Sequence, residues 1–471
     1  MHSEDQIQLM MLKTKDGLDE MPKGIGRGSN LKIWSSVIYH KDNNNTEDTI
    51  SASRENDLST KRSRGERNYF RDSEALENFH CAIGPVLRAA QIFGMFPVSG
   101  VGSSSLSKLQ FKIFSFLTIY SGFIALTVSF MTIISVIHML KTFNASTFQI
   151  RGGLGAATVG AVFYGNSLVG SILFFSLSSR WISLQYEWRA MERYIDSNST
   201  EPTRLRWKFF IISTVVLVLS LIEHVLSIFN NIDGYEWNES NSTFRNFLEI
   251  YTLRSHSFIF DTLNYNFFYG LYIFVVSKLA TFTWNFTDLF IMLVATGLAE
   301  RYKSLNKKLA ITMTKCQTAF NWRELREDYA ILSCIVKKVD DHISPIILLS
   351  FANNVYFICL QLLNGLSISD KNSVLSEAYF FGSFAFLICR TCAVTLLTAR
   401  IHDQSKQALP YLYNCSTSSY GVEAQRLQYQ LATDDIALTG LRFFSITRNF
   451  MLAVAGAIIT YEVVLLQFNG K

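Results

Sequence analysis

The sequence predicts an all-α polytopic membrane protein with seven transmembrane helices, its N-terminus cytoplasmic and its C-terminus extracellular. Three observations lead there. Of the 471 residues, 49% are hydrophobic and only 17% are charged, against about 25% charged in an average soluble protein. The apolar residues are gathered into blocks, with Phe occurring 38 times and Pro only 6 times. A bilayer core of about 30 Å takes roughly 20 apolar residues in a helix that pairs its own backbone groups, and seven blocks reach that length. These features exclude a disordered chain, a secreted disulfide scaffold and an ordinary cytosolic enzyme. A net charge of +5, scattered along the chain, leaves no footprint for nucleic acid.

The elements follow in order. Residues 1–72 form a cytoplasmic tail whose runs, such as DNNNTED and STKRSRGER, are too polar to bury a core. Gly24, Gly26 and Gly28 follow no strand and read as linker glycines rather than a phosphate loop. Residues 73–110 precede the membrane and begin with a helical pattern, SEALENFHCAIGPVLRAAQIF. It is too short and too charged to span, so it is an amphipathic helix at the membrane surface or against the bundle. The spans are expected at 111–138, 153–178, 208–230, 266–298, 343–366, 376–399 and 445–468. The first of them is too long for a signal-peptide core. The fourth is the longest and holds no Pro, and is expected to run on beyond the lipid as one helix.

Charge placement sets the orientation. With the N-terminus inside, the inner loops 179–207, 299–342 and 400–444 carry 18 Lys/Arg against 6 in the outer segments, as the positive-inside rule requires. The inner loops are also longer, so the bias per residue is smaller than the bare count. The outer loop 231–265 adds support with five acids, Asp233, Glu236, Glu239, Glu249 and Asp261, against Arg245 and Arg254. None of the seven cysteines falls in an outer loop in this arrangement, so nothing demands an oxidised pair. Glycosylation sequons do not decide it, since Asn144, Asn238 and Asn241 fall outside while Asn44, Asn198 and Asn414 fall inside. The orientation is opposite to that of G-protein-coupled receptors.

No catalytic arrangement stands out. The 8 His form no pair at metal-ligand spacing, and no G-x-S-x-G or zinc-ribbon pattern occurs. Neither a metal nor a cofactor is implied. Cys389-Arg390-Thr391-Cys392 lies inside a span and reads as small residues packing in a helix. No pair of broken-helix repeats marks a transporter.

Polar groups inside the spans say more, because an ionisable residue at membrane depth is costly and faces a bundle interior or a wet cavity. Glu223 and His224 lie in the outer half of the third span. Trp284, Asn285 and Asp288 lie near the middle of the fourth, with Lys278 farther out, while Asn353, Asn354, Tyr356 and Gln361 follow along the fifth and Arg390 sits in the sixth. An outward cavity lined by Glu223, His224, Trp284, Asn285, Asp288, Asn354, Tyr356 and Gln361 suits a neutral polyhydroxylated ligand, since hydroxyls need paired donors and acceptors and sugar-ring faces rest on aromatic rings. A buried structural network, with Glu223 or Asp288 neutralised by Lys278 or Arg390, accounts for the same residues equally well. Gly152, Ala156 and Gly160 make a small-residue ladder in the second span. Gly456, Thr460, Val464 and Gln467 share one face of the seventh, either lining a pore or packing closely in the bundle.

The chain end carries a family resemblance. Thr460-Tyr461-Glu462-Val463-Val464-Leu465-Leu466-Gln467-Phe468 resembles the motif that closes the last span of insect gustatory receptors, and an acid at position 462 is similar to the sugar-receptor branch. AIGPVLRAAQIFGMFPVSGV at 82–101, EHVLS at 223–227 and WNFTDLFIMLVATGLAERYKSLN at 284–306 resemble the same branch. The resemblance covers the chain from about residue 80 to its end.

It implies a tetrameric, ligand-gated, non-selective cation channel in the plasma membrane of gustatory receptor neurons, not an enzyme, working as a homotetramer or with sister gustatory receptors. Residues 111–399 would be the sugar-binding six-helix bundle, with cytoplasmic loops 179–207 and 299–342. Residues 400–471 would supply an anchor segment and the pore-lining seventh helix. Gln467 and Phe468 would form the gate, an apolar ring that blocks ions by dewetting. Thr460 and Tyr461 would couple that gate to the anchor, and Val464 would line the pore between them. A sugar transporter and a gustatory receptor for another tastant are the competing readings.

Overall fold

The computed structural model describes residues 78–142, 153–196, 204–234, 243–260, 264–314, 321–365, 374–415 and 420–469. The tail 1–77, Gly152 of the small-residue ladder, and the sequon residues Asn44, Asn144, Asn198, Asn238 and Asn241 lie outside them.

Helix α1 (Phe79–Ile92) is capped by Asn78, whose side chain accepts the amide of Cys81 at 2.8 Å. Phe79, Ile83, Leu87 and Ala90 are buried while Pro85, Arg88 and Ile92 face out, so the amphipathic helix lies against the bundle. Gly94, at φ +73°, turns the chain where a Cβ would sit 2.4 Å from Ile124 Cδ1.

Helix α2 (Phe116–Thr142) is built inside out. Ile119, Phe123, Leu126, Phe130, Ile133 and Ile137 recur at three and four positions and are all exposed, while Thr118, Ser121 and Ser135 are buried with Ile124, Val128 and Met131. Water would not tolerate that apolar stripe; lipid does, and weakly polar residues are what membrane helices turn toward one another. Helix α4 (Leu205–Ile232) repeats the pattern, with Ser213 and Ser220 inward and Ile211, Val215, Val218, Ile222 and Phe229 outward.

Helices α3 (Gly153–Asp196), α7 (Phe267–Thr314) and α8 (Trp322–Gly365) run far past the expected spans. The 48 residues of α7 make about 72 Å of helix at 1.5 Å per residue, more than twice the lipid thickness. It is the axis of the fold, with every residue from Leu289 to Ala295 at most 1% exposed. Short helices α5 (Phe244–Ser255) and α6 (Ser257–Phe260) fold over one end of the bundle, between α4 and α7. Helix α9 (Val374–Lys406) packs along α7, followed by α10 (Leu409–Tyr413), α11 (Val422–Thr433), the hairpin β1 (Thr439–Gly440) and β2 (Phe444–Ser445), and α12 (Arg448–Asn469).

Six helices among the described residues are long and apolar enough to cross a membrane. The segments 179–207 and 299–342 between the expected spans are largely helical: α3 continues to Asp196, α7 runs on to Thr314 as expected of the fourth span, and α8 already begins at Trp322. Hydropathy marks those stretches as polar, yet their charges pair between helices. Arg301 Nη2 lies 2.8 Å from Glu192, Lys338 Nζ 2.5 Å from Glu187, and Lys308 Nζ 3.2 Å from Asp328. Glu300 takes both Lys208 at 2.5 Å and Arg400 at 2.9 Å. The helices therefore go on beyond the apolar blocks as a packed, ion-paired end opposite α5 and α6.

Candidate ligand-binding site

Under α5 and α6 lies a cavity of about 370 Å³, within the range of roughly 300–1,000 Å³ usual for small-molecule pockets. Its walls come from α3 through α7 and from α9. Helix α4 presents Glu223, His224, Ser227 and Asn231 at spacings of three and four, so they share one face. Helix α7 presents Ser277, Thr281 and Trp284 in the same manner, α3 adds Phe163 and Tyr164, α5 adds Tyr251 and Arg254, and α9 adds Tyr379.

Some of these groups are committed. His256 is held through both ring nitrogens, at 2.7 Å from the Tyr164 hydroxyl and 2.7 Å from the Ser255 hydroxyl. Burial, and then the nearby Lys278 charge, lowers its pKa to about 3, so it is a neutral imidazole. Lys278 Nζ donates to the Tyr251 hydroxyl at 2.8 Å and lies 4.5 Å from the centre of that ring. Arg254 caps the end of α4, its Nη1 donating to Asp233 O at 2.5 Å. Other groups are uncommitted. Glu223 has no hydrogen bond or ion pair among the described residues, and His224 Nε2 is buried without a partner there. A carboxylate and an imidazole nitrogen without hydrogen-bond partners among the described residues, beside aromatic faces, can pair with hydroxyl groups.

Deeper in the bundle lies a second polar group of opposite character. Arg390 Nε is 2.9 Å from Asp288 Oδ2, with both side chains at most 3% exposed. Asp288 also accepts from Ser350 at 2.5 Å and from Asn354 at 3.1 Å. Arg390 donates to Asn285 and, at 3.3 Å, to Asn354. Trp284 belongs to both places: it walls the cavity, its indole donates to Asn354 at 3.2 Å, and its ring lies 4.5 Å from the Arg390 guanidinium carbon.

A family model described as "Trehalose receptor" matches residues 49–471. The chain belongs to the trehalose receptor family of insect gustatory receptors. It is 34% identical over 399 residues to the Drosophila melanogaster gustatory receptor for sugar taste 64f, covering 83% of this chain and 81% of that one. With the Drosophila melanogaster gustatory receptor 5a for trehalose it shares 32% identity, covering 83% and 85%. Among solved structures, the olfactory receptor OR5 of Machilis hrabei in complex with eugenol matches with a TM-score of 0.59 at 14% identity, over 82% of this chain and 97% of that one. At that identity the likeness shows the fold alone, an insect chemoreceptor fold. The gustatory receptor is thus a multi-pass membrane chemoreceptor and not an enzyme.

In this receptor the residues expected to line a pocket are divided among three places. Glu223, His224 and Trp284 line the cavity. Asn285, Asp288 and Asn354 do not; they close around Arg390, the structural network that the sequence left open. Tyr356 is bonded to Thr158 at 2.7 Å, and Gln361 donates to Ser383 at 3.2 Å with its Oε1 buried and unpartnered; neither lines the cavity. Sequence reasoning missed Tyr251, Arg254, Ser255 and His256, which lie in a segment taken as an outer loop. It also missed Ser277 and Thr281, which the helical spacing back from Trp284 would have found. Of the gate residues, Thr460 is exposed and donates to Gly456 O at 2.8 Å, and Tyr461 is exposed. The side chains of Val464, Gln467 and Phe468 lie outside the described residues.

Proposed function

We propose that this gustatory receptor is a subunit of a sugar-gated, non-selective cation channel in the plasma membrane of gustatory receptor neurons. It would assemble as a homotetramer or with sister receptors, with its N-terminus cytoplasmic, its C-terminus extracellular and α12 as the seventh crossing. The observation that carries the sugar reading is the cavity itself: Glu223 and His224 offer uncommitted acceptor and imidazole groups beside the Trp284 ring. Trehalose is the first sugar to test, because the family model and one relative are named for it.

A sugar against Trp284 would press on a ring that is hydrogen-bonded to Asn354 and stacked on Arg390, and so would reach the pair that joins α7 to α9. A ligand shifts such an equilibrium only by its difference in affinity between the two states. The response would pass to α12, where Gln467 and Phe468 form the gate, Val464 lines the pore, and Thr460 and Tyr461 couple to the anchor. Gly456 has open space where its Cβ would be, and Leu452, Ile459, Tyr461 and Val463 are exposed, as expected of a helix that faces sister subunits and a pore.

Expression in oocytes, alone and beside a sister receptor, with a sugar panel under voltage clamp tests the reading. Sugar-evoked cation currents are expected, whereas saturable uptake of labelled sugar without current would replace the channel with a transporter. Phe468→Ala should raise the current in the absence of sugar; unchanged basal and evoked conductance removes Phe468 from the gate.

A further inference from the structure

Next to Trp284 is a second, small chamber of about 20 Å³ between α3, α7 and α8. Trp284 and Phe163 wall both spaces. Its polar lining comes from Asn166, Ser167, Thr283, Thr287, Ser350 and Asn353. Most of these are already engaged. Thr283 and Thr287 donate to the carbonyls of Leu279 and Thr283 at 3.0 and 2.7 Å, Ser350 donates to Asp288 at 2.5 Å, and Asn166 donates to Asn353. Each of the three hydroxyls has spent its proton and retains acceptor capacity. Ser167 differs: it is 3% exposed, and its Oγ has no hydrogen-bond partner among the described residues. A buried hydroxyl with an unused proton beside spent hydroxyls is an unbalanced set, and burying such a group unpaired is costly.

We propose that this chamber is a binding site for one ordered water molecule, which accepts from Ser167 and donates to the hydroxyls of α7 and α8. The space fits, since on the order of 10–15 Å³ by this measure admits one water and leaves no room for a solute. The balance of protons also fits, because the occupant must accept once and donate at least once. A monovalent cation fits poorly. Asp288, the nearest carboxylate behind Ser350, is already neutralised by Arg390 at 2.9 Å, so a cation would sit uncompensated in the bundle centre. The water joins α3, through Ser167, to the Ser350–Asp288–Arg390 network, a link that direct side-chain contacts between those residues do not supply. The inference stands apart from the sugar reading, since it needs only the closed bundle.

The test is a cryo-EM map of the full-length receptor, without sugar, at a resolution that shows ordered solvent. A single density peak within hydrogen-bond distance of Ser167 Oγ is expected. An empty chamber overturns the proposal. Ser167→Ala should lose that peak and melt at a lower temperature in detergent, because the water is left short of a donor. A variant that melts as the wild type or higher means that the hydroxyl was an orphan and overturns it too. Replacing sodium with choline should leave the melting temperature unchanged; a sodium-dependent shift assigns the chamber to a cation instead.

Discussion

Two polar sites share Trp284, and they differ in what their charges have left to give. Around Asp288 and Arg390, the carboxylate and the guanidinium face each other and are engaged by Ser350, Asn285 and Asn354, and both side chains are buried. Around Glu223 and His224 the same kinds of group face open space without partners among the described residues. Charge at membrane depth marks both places equally. Satisfaction separates them: the saturated site ties α7, α8 and α9 together, and the unsaturated one is where we propose that the ligand binds. A third region, the ion-paired end around Glu192 and Glu300, sides with the first.

The largest effect expected from this contrast is on folding. Arg390→Met strands the buried Asp288 carboxylate, a change worth about 3–5 kcal/mol, so surface expression should collapse. The double change Asp288→Leu with Arg390→Met removes both charges and should restore much of that expression, because a buried pair replaced by apolar groups is near neutral. If the single variant reaches the surface normally, the cluster is not structural and the comparison fails.

A smaller and different effect belongs to the cavity. Glu223→Gln keeps the shape and removes an uncommitted charge, so surface expression should be unchanged. A hydrogen bond to a charged group is worth about 1.5–3 kcal/mol, so the half-maximal sugar concentration should rise by about tenfold or more. An unaltered dose-response at wild-type expression would exclude Glu223 from the site.

The smallest effect is on acid stability. Burial lowers the pKa of His256 to about 3 in the folded receptor, from 6.5 for the free side chain, and burial also lowers that of His80. Below pH 6.5 the unfolded chain takes up these protons more readily than the folded one, so stability is lost as pH falls, by at most about 1.4 kcal/mol per pH unit for each group. The melting temperature should decline from pH 7 to pH 5, and more shallowly in His256→Gln. A profile unaffected by that substitution would mean His256 is not held neutral by its surroundings.

The sequence by itself determined the class, the number of apolar blocks and the family, because blocks of apolar residues and the motifs at 82–101, 223–227, 284–306 and 460–468 are local in the chain. It also named Glu223, His224 and Trp284, since charge and aromatic groups inside a span stand out wherever they point. Only the tertiary structure decided which polar residues are spent. Asp288 and Glu223 are both carboxylates in apolar helices, and the difference is that Arg390, 102 positions along the chain from Asp288, forms its ion pair with Asp288. The same holds for helix length: charge ends a hydropathy block at 178, yet α3 runs to Asp196 because Glu187 and Glu192 find Lys338 and Arg301 on other helices. Pairing partners distant in sequence are brought together by packing, and no local pattern records them.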